Sequence, residues 1–249
     1  MDTSLEWNYT ELAKHYDKRA AYSQDGLQKL FKTLKIPANS KVVDIGAGTG
    51  KLTIPLAQFG YNVVAVEPNN EMRKIGQSNS NNLDVEWIGA PAESTGLKDH
   101  IFKMATFGSS FNVIDHVKTL PELARILLPN SWLVCMWNHR NLENPIQKDV
   151  ESIIKNKISN YDYGMRRQDP SKLMLQNGYF EDVKYLEGHF EVEIKVDDYV
   201  DAWRSHATLQ RQARQDFDDV ITAIEKLLSE NESIQVPYTT RIWYTSRVV

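Results

Sequence analysis

Three glycines at alternate positions, Gly46, Gly48 and Gly50, follow an apolar run that ends beside Asp44. Glycines in such a loop let a ligand approach the backbone closely. Their spacing departs from the dinucleotide fingerprint G-x-G-x-x-G, because position 51 is lysine. It also departs from the Walker phosphate loop, which needs Ser or Thr where Leu52 stands. The loop therefore predicts a ligand site that is not built for phosphate.

Acidic residues stand at the ends of two neighbouring predicted strands. Asp44 would repel a pyrophosphate and favours a ligand with an ammonium or sulfonium charge. A helix that begins near Lys51 offers its first amides to a carboxylate. Glu67, at the tip of the next strand, can accept hydrogen bonds from both hydroxyls of a ribose. An amino acid joined to a nucleoside meets these conditions, and S-adenosylmethionine is such a molecule. Ala92 and Glu93 then stand where an adenine edge is expected.

The spacing of apolar residues along the chain predicts the strands and helices that position these residues. The predicted strands span 41–45, 61–66, 85–88, 102–107 and 131–137, and the predicted helices between them span 51–59, 69–79 and 121–128. A further helix is expected from about 10 to 35, with a break near Gly26. Strands that alternate with helices at this pitch predict a doubly wound α/β fold with a parallel sheet.

After residue 140 the pattern predicts a helical cap on the carboxyl edge of the sheet. Helices are expected over 141–158, around 169–178, from 196 to 203 and from 213 to 228, with strands over 180–187 and 236–249. We expect a single domain with an N-terminal helical lid (1–37), a ligand-binding core (38–139), a cap (140–230) and a final strand (236–249).

Several segments resemble one family. "VVDIGAGTGKLT", "VVAVEPNNEMR" and "GAPAESTGL" resemble motifs I to III of the class I S-adenosylmethionine-dependent methyltransferases. "MATFGSSFNVID", "ELARILLPNSWLVCMWNHR" and "VPYTTRIWYTSR" are similar to segments of a small-molecule, type 11 subgroup that includes trans-aconitate methyltransferase-like proteins. The resemblance implies a seven-stranded, mostly parallel sheet with the last strand antiparallel. It also implies S-adenosylmethionine as cofactor and S-adenosylhomocysteine as product.

The resemblance extends the acids and glycines above to a full cofactor site. It implies cofactor-binding roles for Tyr16, Arg19, Asp44, Gly46, Ala47, Gly48, Gly50, Glu67, Pro68, Met72, Ala92, Glu93, Phe107 and Gly108. Within this set the glycines are expected beside the methionine, Met72 along the adenine and Arg19 near the methionine carboxylate. The subgroup's "F-H-W" is Phe111-Asn112-Val113 here, which weakens any transfer of a substrate from the family.

The acceptor side is predicted from polar residues after the fourth and fifth strands. Ser109, Ser110 and Asn112 follow the fourth strand, where polar groups of an acceptor could be held. Tyr22, His139 and Trp203 are further candidates for substrate contact. His116, as a general base, and Asn112 are the candidates for catalysis. A surface loop or a packing role remains the alternative for each histidine and aromatic residue in this group.

Composition limits the classes of function. The chain has 249 residues, one cysteine and a formal net charge of −4, which does not favour a nucleic-acid partner. No metal-ligand spacing and no membrane-spanning stretch is visible in the sequence, and we expect a cytoplasmic protein that binds no metal. The pattern favours O- or N-methylation of a small molecule by in-line displacement. A non-catalytic S-adenosylmethionine-binding protein and, less favoured, a nicotinamide-dependent oxidoreductase are the alternatives, and the oligomeric state is left open.

Overall fold

The computed structural model describes residues 16–248, and seven strands alternate with helices over this range. The strands are β1 (Lys41–Ile45), β2 (Asn62–Val66), β3 (Val85–Ile88), β4 (Phe102–Gly108), β5 (Leu127–Arg140), β6 (Phe180–Lys195) and β7 (Ser233–Arg247). The helices are α1 (Gln24–Leu34), α2 (Thr53–Gln58), α3 (Asn70–Asn79), α4 (His116–Ile126), α5 (Pro145–Lys157), α6 (Ser171–Met174), α7 (Val196–Arg204), α8 (Ala207–Ala213) and α9 (Phe217–Leu228).

The strands form one sheet in the order β3-β2-β1-β4-β5-β7-β6. Neighbours among β1 to β5 are parallel, and β7 runs antiparallel to both β5 and β6. The doubly wound, mostly parallel sheet with an antiparallel last strand is therefore confirmed. The order reverses at β1, which pairs with β2 on one side and β4 on the other, so the switch point lies at the glycine loop.

Alternation along the strands divides the core into two layers. Val42 and Met104 face the layer that holds α1 and α2, whereas Val43 and Ala105 face the layer that holds α4. All four side chains are fully buried. Burying a valine or methionine side chain contributes about 1.5–3 kcal/mol to the stability of the fold. The sheet is thus fixed from both faces, and its carboxyl edge is held in place for ligand binding.

A third apolar cluster forms the cap. Helices α5, α7, α8 and α9 pack around Tyr199 and Trp203 and against the far ends of β6 and β7. The predicted strands over 180–187 and 236–249 are therefore wrong in extent, because β6 and β7 stay paired as far as Lys195 and Ser233. The second half of β6 carries Phe190, Val192 and Ile194 on alternate positions, and these side chains pack on the cap cluster in a segment that was predicted as cap.

The boundaries of α4 and of the helix predicted over 213–228 differ from the sequence prediction. Helix α4 begins at His116 rather than at residue 121, because the Asp115 side chain accepts hydrogen bonds from the amides of Val117 and Lys118. The helix predicted over 213–228 is divided: α8 ends at Ala213, and Arg214 has a φ of 51°. A positive φ at a non-glycine residue does not continue an α-helix, so α9 starts afresh at Phe217.

Residues 16–23 form a strap that crosses the carboxyl edge of the sheet; Tyr16 is helical but residues 17–23 are not, although a helix was expected from about 10 to 35 with a break near Gly26. Helix α1 starts only at Gln24, with Ser23 as its N-cap. The Asn138 side chain on β5 donates to the carbonyls of Ala20 (3.2 Å) and Ala21 (2.8 Å). The amide of Ser23 donates to Thr240 Oγ1 on β7 at 2.8 Å. These bonds satisfy the strap's backbone without helix formation; the part of the predicted lid before residue 16 lies outside the described residues.

Close contact between Gly26 on α1 and Gly188 on β6 gives a test of this arrangement. A Cβ at Gly188 would lie 2.6 Å from the Gly26 Cα atom. We expect Gly188→Ala to lower the free energy of unfolding by about 1–3 kcal/mol, because backbone atoms would have to move apart. Urea denaturation measures the change, and Glu191→Ala, on the exposed part of the same strand, is the control. Equal stability of the two variants would show that the helix is not held at this contact.

Candidate functional site

Two adjoining cavities lie at the carboxyl ends of β1, β2, β4 and β5. The Glu67 cavity, of about 210 Å³, lies beside β2 and the segment after β3. The arginine cavity, of about 130 Å³, lies between the glycine loop, the strap and the cap. Both are lined by Tyr16, Gly46, Gly48, Gly108 and Ser109. A ligand that extends past the glycine loop can therefore occupy both.

The glycine loop turns sharply where β1 ends. Gly46 and Gly48 have φ values of 64° and 57°, which glycine adopts without steric cost. A Cβ at Gly46 would lie 2.6 Å from the Ser110 Cβ atom, so the turn also needs the missing side chain. The amides of Gly46 and Ala47 donate to the carbonyl of Val66 on β2, at 2.8 and 3.1 Å. The loop is thus tied to the neighbouring strand and lies open to the cavities.

Glu67 is the second tie between the loop and β2. Its Oε2 accepts the amide of Gly48 at 2.9 Å, and its Oε1 accepts the amide of Asn69 at 2.8 Å. The side chain is 7% exposed, and burial raises its pKa. Each carboxylate oxygen has a further acceptor position. The residue can therefore hold the loop and still accept hydrogen bonds from a ligand in the Glu67 cavity.

Asp44 lies at the opposite side of the loop, on the wall of the arginine cavity. Thr53 Oγ1 donates to its Oδ2 at 2.7 Å, and Thr106 Oγ1 donates to its Oδ1 at 2.9 Å. The side chain is 1% exposed, and burial raises its pKa to about 6. Within residues 16–248 it has hydrogen bonds but no cationic partner, so a cationic group of a ligand would find a negative partner here. The two threonines were not predicted, because their link to Asp44 arises only when β1, β4 and α2 pack together.

The Glu67 cavity gathers most residues that were expected along the nucleoside. Its lining includes Glu67, Pro68, Met72, Ala92 and Glu93. Met72 and Ala92 are buried, and Glu93 Oε1 accepts the amide of Asp115 at 2.9 Å. Sequence reasoning missed Asn69, which lines the same cavity.

The strap brings Tyr16, Arg19 and Tyr22 to the arginine cavity, where Ala47 and Ser109 also lie. The hydroxyl of Tyr22 is 3.1 Å from Ser109 Oγ. Arg19 donates through Nε to Ser205 Oγ at 2.9 Å, and its guanidinium lies 4.2 Å from the centre of the Tyr16 ring. Ser110 instead lines the Glu67 cavity, where its hydroxyl donates to the carbonyl of Ile45 at 2.7 Å.

Four predicted residues line neither cavity: Gly50, Phe107, Asn112 and His116. Phe107 is fully buried in the core. The His116 ring packs against Phe111, with its Nε2 2.8 Å from the carbonyl of that residue. Burial lowers the pKa of His116. The structure therefore gives His116 no access to the site as a base. Asn112 is linked to the arginine cavity by Trp137, which lines the cavity and whose Nε1 donates to Asn112 Oδ1 at 3.2 Å.

His139 and Trp203 do line the arginine cavity, as expected for acceptor contacts. His139 Nε2 lies 2.7 Å from the carbonyl of Arg166, so this nitrogen carries the proton in the neutral ring. Its Nδ1 is buried and has no hydrogen-bond partner among residues 16–248, and burial lowers the pKa of the ring to about 4. His139 is therefore a neutral hydrogen-bond acceptor at neutral pH. Sequence reasoning missed other residues of this cavity, Arg140, Arg166, Arg167, Gln147 and Glu151, which come from separate elements.

Candidate metal clusters and membrane-spanning helices are both absent from residues 16–248. That range contains no group of three or more His, Cys, Asp or Glu side chains placed to hold a metal ion. None of its helices is both long enough and apolar enough to span a bilayer.

Sequence comparison relates the core to methyltransferases. Residues 43–135 match the family model described as "Methyltransferase domain". An uncharacterized methyltransferase of Mycobacterium bovis is 36% identical over 104 residues, which are 42% of this chain and 42% of the relative. The ubiquinone/menaquinone biosynthesis C-methyltransferase of Zymomonas mobilis is 26% identical over 137 residues, covering 51% of this chain and 57% of the relative. The chain thus spans about half the length of the curated relatives it matches.

Structural comparison covers nearly the whole chain. A protein of Anaeromyxobacter dehalogenans, provisionally classed as a type II methyltransferase, superposes with a TM-score of 0.68 at 19% identity, over 92% of this chain and 98% of its own. Phosphoethanolamine N-methyltransferase 2 of Haemonchus contortus superposes with a TM-score of 0.54 at 11% identity, over 90% of this chain and 52% of its own. These likenesses establish that the sheet and its helices have the Rossmann-like methyltransferase fold.

The raised pKa of Asp44 predicts a pH dependence of stability. The carboxyl titrates near 6 in the folded chain against an ordinary value of 3.8, so the folded state binds the proton more tightly. Its contribution to stability is therefore greatest below about pH 4 and is lost as the pH rises through about 6. Asp44→Asn removes this loss. The free energy of unfolding of the variant, measured with urea, should rise relative to that of the unmodified protein by on the order of 1–3 kcal/mol between pH 4.5 and pH 7. A constant difference would contradict the raised pKa.

Proposed function

We propose that this protein, whose residues 43–135 match the model of a methyltransferase domain, transfers the methyl group of S-adenosylmethionine to a small-molecule acceptor. The observation that carries the proposal is the Glu67 carboxylate, which binds the amide of Gly48 while lining a cavity beside the glycine loop. This arrangement places an acid at the tip of β2 next to an open turn, as a ribose site requires.

The residues present fit this cofactor in charge and in shape. A Cβ at Gly48 would lie 3.4 Å from the Met72 Cε atom and 3.8 Å from Tyr16 Cε1, and both of these side chains line the Glu67 cavity. Asp44 and Glu67 supply negative groups for a cationic amino acid and for ribose hydroxyls. S-adenosylmethionine supplies a methyl group on a positively charged sulfur. Both alternatives that would use phosphate contacts, the dinucleotide and the Walker loop, are disfavoured by the glycine spacing and by the negative charge of Asp44 beside the loop.

The chain's part in the reaction is mainly alignment and exclusion of water. The strap and the cap enclose the arginine cavity, and Tyr22 and Ser109 stand where the two cavities meet. His139, as a neutral ring with a buried, unpartnered Nδ1, can accept a hydrogen bond from an acceptor's N–H or O–H. The cavity volume of about 130 Å³ favours a small molecule over a macromolecule as acceptor. An oxygen or a nitrogen atom of the acceptor would receive the methyl group.

Titration calorimetry tests the proposal directly. We expect S-adenosylmethionine and S-adenosylhomocysteine to bind with dissociation constants of micromolar order, and absence of binding by both would refute it. A fluorescence titration with NADH tests the oxidoreductase alternative, for which we expect no binding. Release of S-adenosylhomocysteine across a panel of acceptors separates a methyltransferase from a protein that only binds the cofactor.

The role of Glu67 can be tested with a conservative change. In Glu67→Gln an amide nitrogen would replace one of two oxygens that both accept backbone amides, so one backbone donor would lose its partner. We expect the affinity for S-adenosylhomocysteine to fall by about 10- to 100-fold, because a hydrogen bond to a charged group contributes about 1.5–3 kcal/mol. Calorimetry measures the change.

Glu71→Gln is the matched control for this experiment. Glu71 is an exposed acid on α3 that pairs with Lys74 at 2.8 Å and does not line either cavity. Its replacement should leave the affinity within about threefold, which is the size of a surface effect. Unchanged affinity in Glu67→Gln, with the fold intact by circular dichroism, would remove Glu67 from the cofactor site.

A further inference from the structure

The cap side of the arginine cavity has an excess of positive charge. Arg140 comes from the end of β5, and Arg166 and Arg167 come from the short 3-10 turn at Gly164–Arg167. The carboxylate on this side is Glu151, which lies 3.5 Å from Lys155 Nζ. Three guanidinium groups therefore face a cavity in which the nearby acid already has a cationic partner.

Contacts between these residues show that they form one group. Arg167 Nη2 donates to the carbonyl of Arg140 at 3.3 Å, and the carbonyl of Arg166 contacts the His139 ring at 2.7 Å. The Arg140 guanidinium lies 4.1 Å from the centre of the Trp203 ring, and that of Arg167 lies 4.4 Å from the centre of the Tyr163 ring. Stacking on aromatic faces fixes the planes of two guanidinium groups and leaves their edges for hydrogen bonds.

Hydrogen-bond donors in this group lack partners. Arg140 Nε, Arg166 Nε and Gln147 Nε2 are buried and bind no acceptor in the described part of the chain. In residues 16–248, none of Arg140, Arg166 and Arg167 forms an ion pair. Burial, together with the nearby Arg241 and Arg140, lowers the pKa of Arg167, although the negative charge of Glu151 acts in the opposite direction. Buried donors and cations of this kind cost free energy unless an anion with several acceptor atoms binds between them.

We propose that the methyl acceptor carries a compact anionic group, a carboxylate or a phosphate, that binds among Arg140, Arg166 and Arg167. The proposal rests on the proposed function and names the chemical class of its acceptor. Both groups present oxygen atoms that match the paired N–H groups of a guanidinium. Arg19, in the same cavity, is already bound to Ser205, which leaves the cap arginines as the site for the anion.

Charge along the cavity supports this orientation. Asp44 lies at the glycine-loop end, and the three arginines lie at the cap end of the same cavity. A cationic cofactor at the acidic end and an anionic acceptor at the basic end would be drawn together by their own charges as well as by the walls. Trp137, Trp203 and Tyr163 line the space, so a flat apolar body next to the anion fits the remaining surface.

Matched probes can separate charge from shape. Benzoate, phenyl phosphate and the neutral amide benzamide are titrated by calorimetry into protein saturated with S-adenosylhomocysteine. We expect at least one anion to bind about tenfold or more tightly than benzamide, and the two anions together tell a carboxylate site from a phosphate site. Arg166→Gln and Arg167→Gln should each reduce this preference to about twofold or less, whereas Arg167→Lys should keep part of it.

Arg211→Gln, an exposed arginine of α8, is the control and should keep the full preference. The affinity of each variant for S-adenosylhomocysteine is measured alongside as a check of folding. If neither anion binds better than benzamide, including the case in which no probe binds at about 10 mM, the proposal is overturned. So does a preference that survives both glutamine variants. If S-adenosylhomocysteine itself does not bind the unmodified protein, the proposed function fails, which is a separate result.

Discussion

The hydrogen bonds between the Glu67 carboxylate and the amides of Gly48 and Asn69 are the constraint on which the site depends. They connect the ends of β1 and β2 through a side chain, at the switch point of the sheet. Backbone bonds from the loop to Val66 add to this connection, and Glu67 also lines a cavity. Because one carboxylate both shapes the loop and lines the ligand space, loop geometry and ligand recognition cannot be varied independently at this position.

The second feature of the site is the separation of charge around the glycine loop. Asp44 and Glu67 lie close to the loop and are held by hydroxyls and amides rather than by cations. The arginines lie on the cap side, where the carboxylate is Glu151. The strap, anchored by Asn138 and Thr240, closes the edge of the sheet over the join between these regions. The fold thus builds a site with opposite charges at its two ends.

The parts of this structure that could be predicted from sequence are those set by local order along the chain. A strand followed by a turn places Asp44 or Glu67 at a sheet edge whatever the rest of the chain does, and the alternation of elements fixes the sheet class. The arginines could not be found in this way, because Arg140 and Arg167 meet only after the cap has folded onto β5. The Asn138 contact with the strap depends in the same way on distant segments.

Errors in the sequence analysis have the same origin. His116 follows a strand end, which favours a position in the site, but packing on Phe111 turns its ring away from both cavities. The second half of β6 was assigned to the cap because its apolar side chains, Phe190, Val192 and Ile194, pack on the cap helices, while its backbone stays paired with β7. Position along the chain was therefore a good guide to backbone location and a poor guide to the direction of a side chain.

A crystal structure of the protein with S-adenosylhomocysteine would test the central claim most directly. The account predicts ribose hydroxyls bound to the Glu67 carboxylate, the nucleoside in the Glu67 cavity and the sulfur facing the arginine cavity. A nucleoside bound outside the Glu67 cavity, or a sulfur directed away from the arginines, would contradict it.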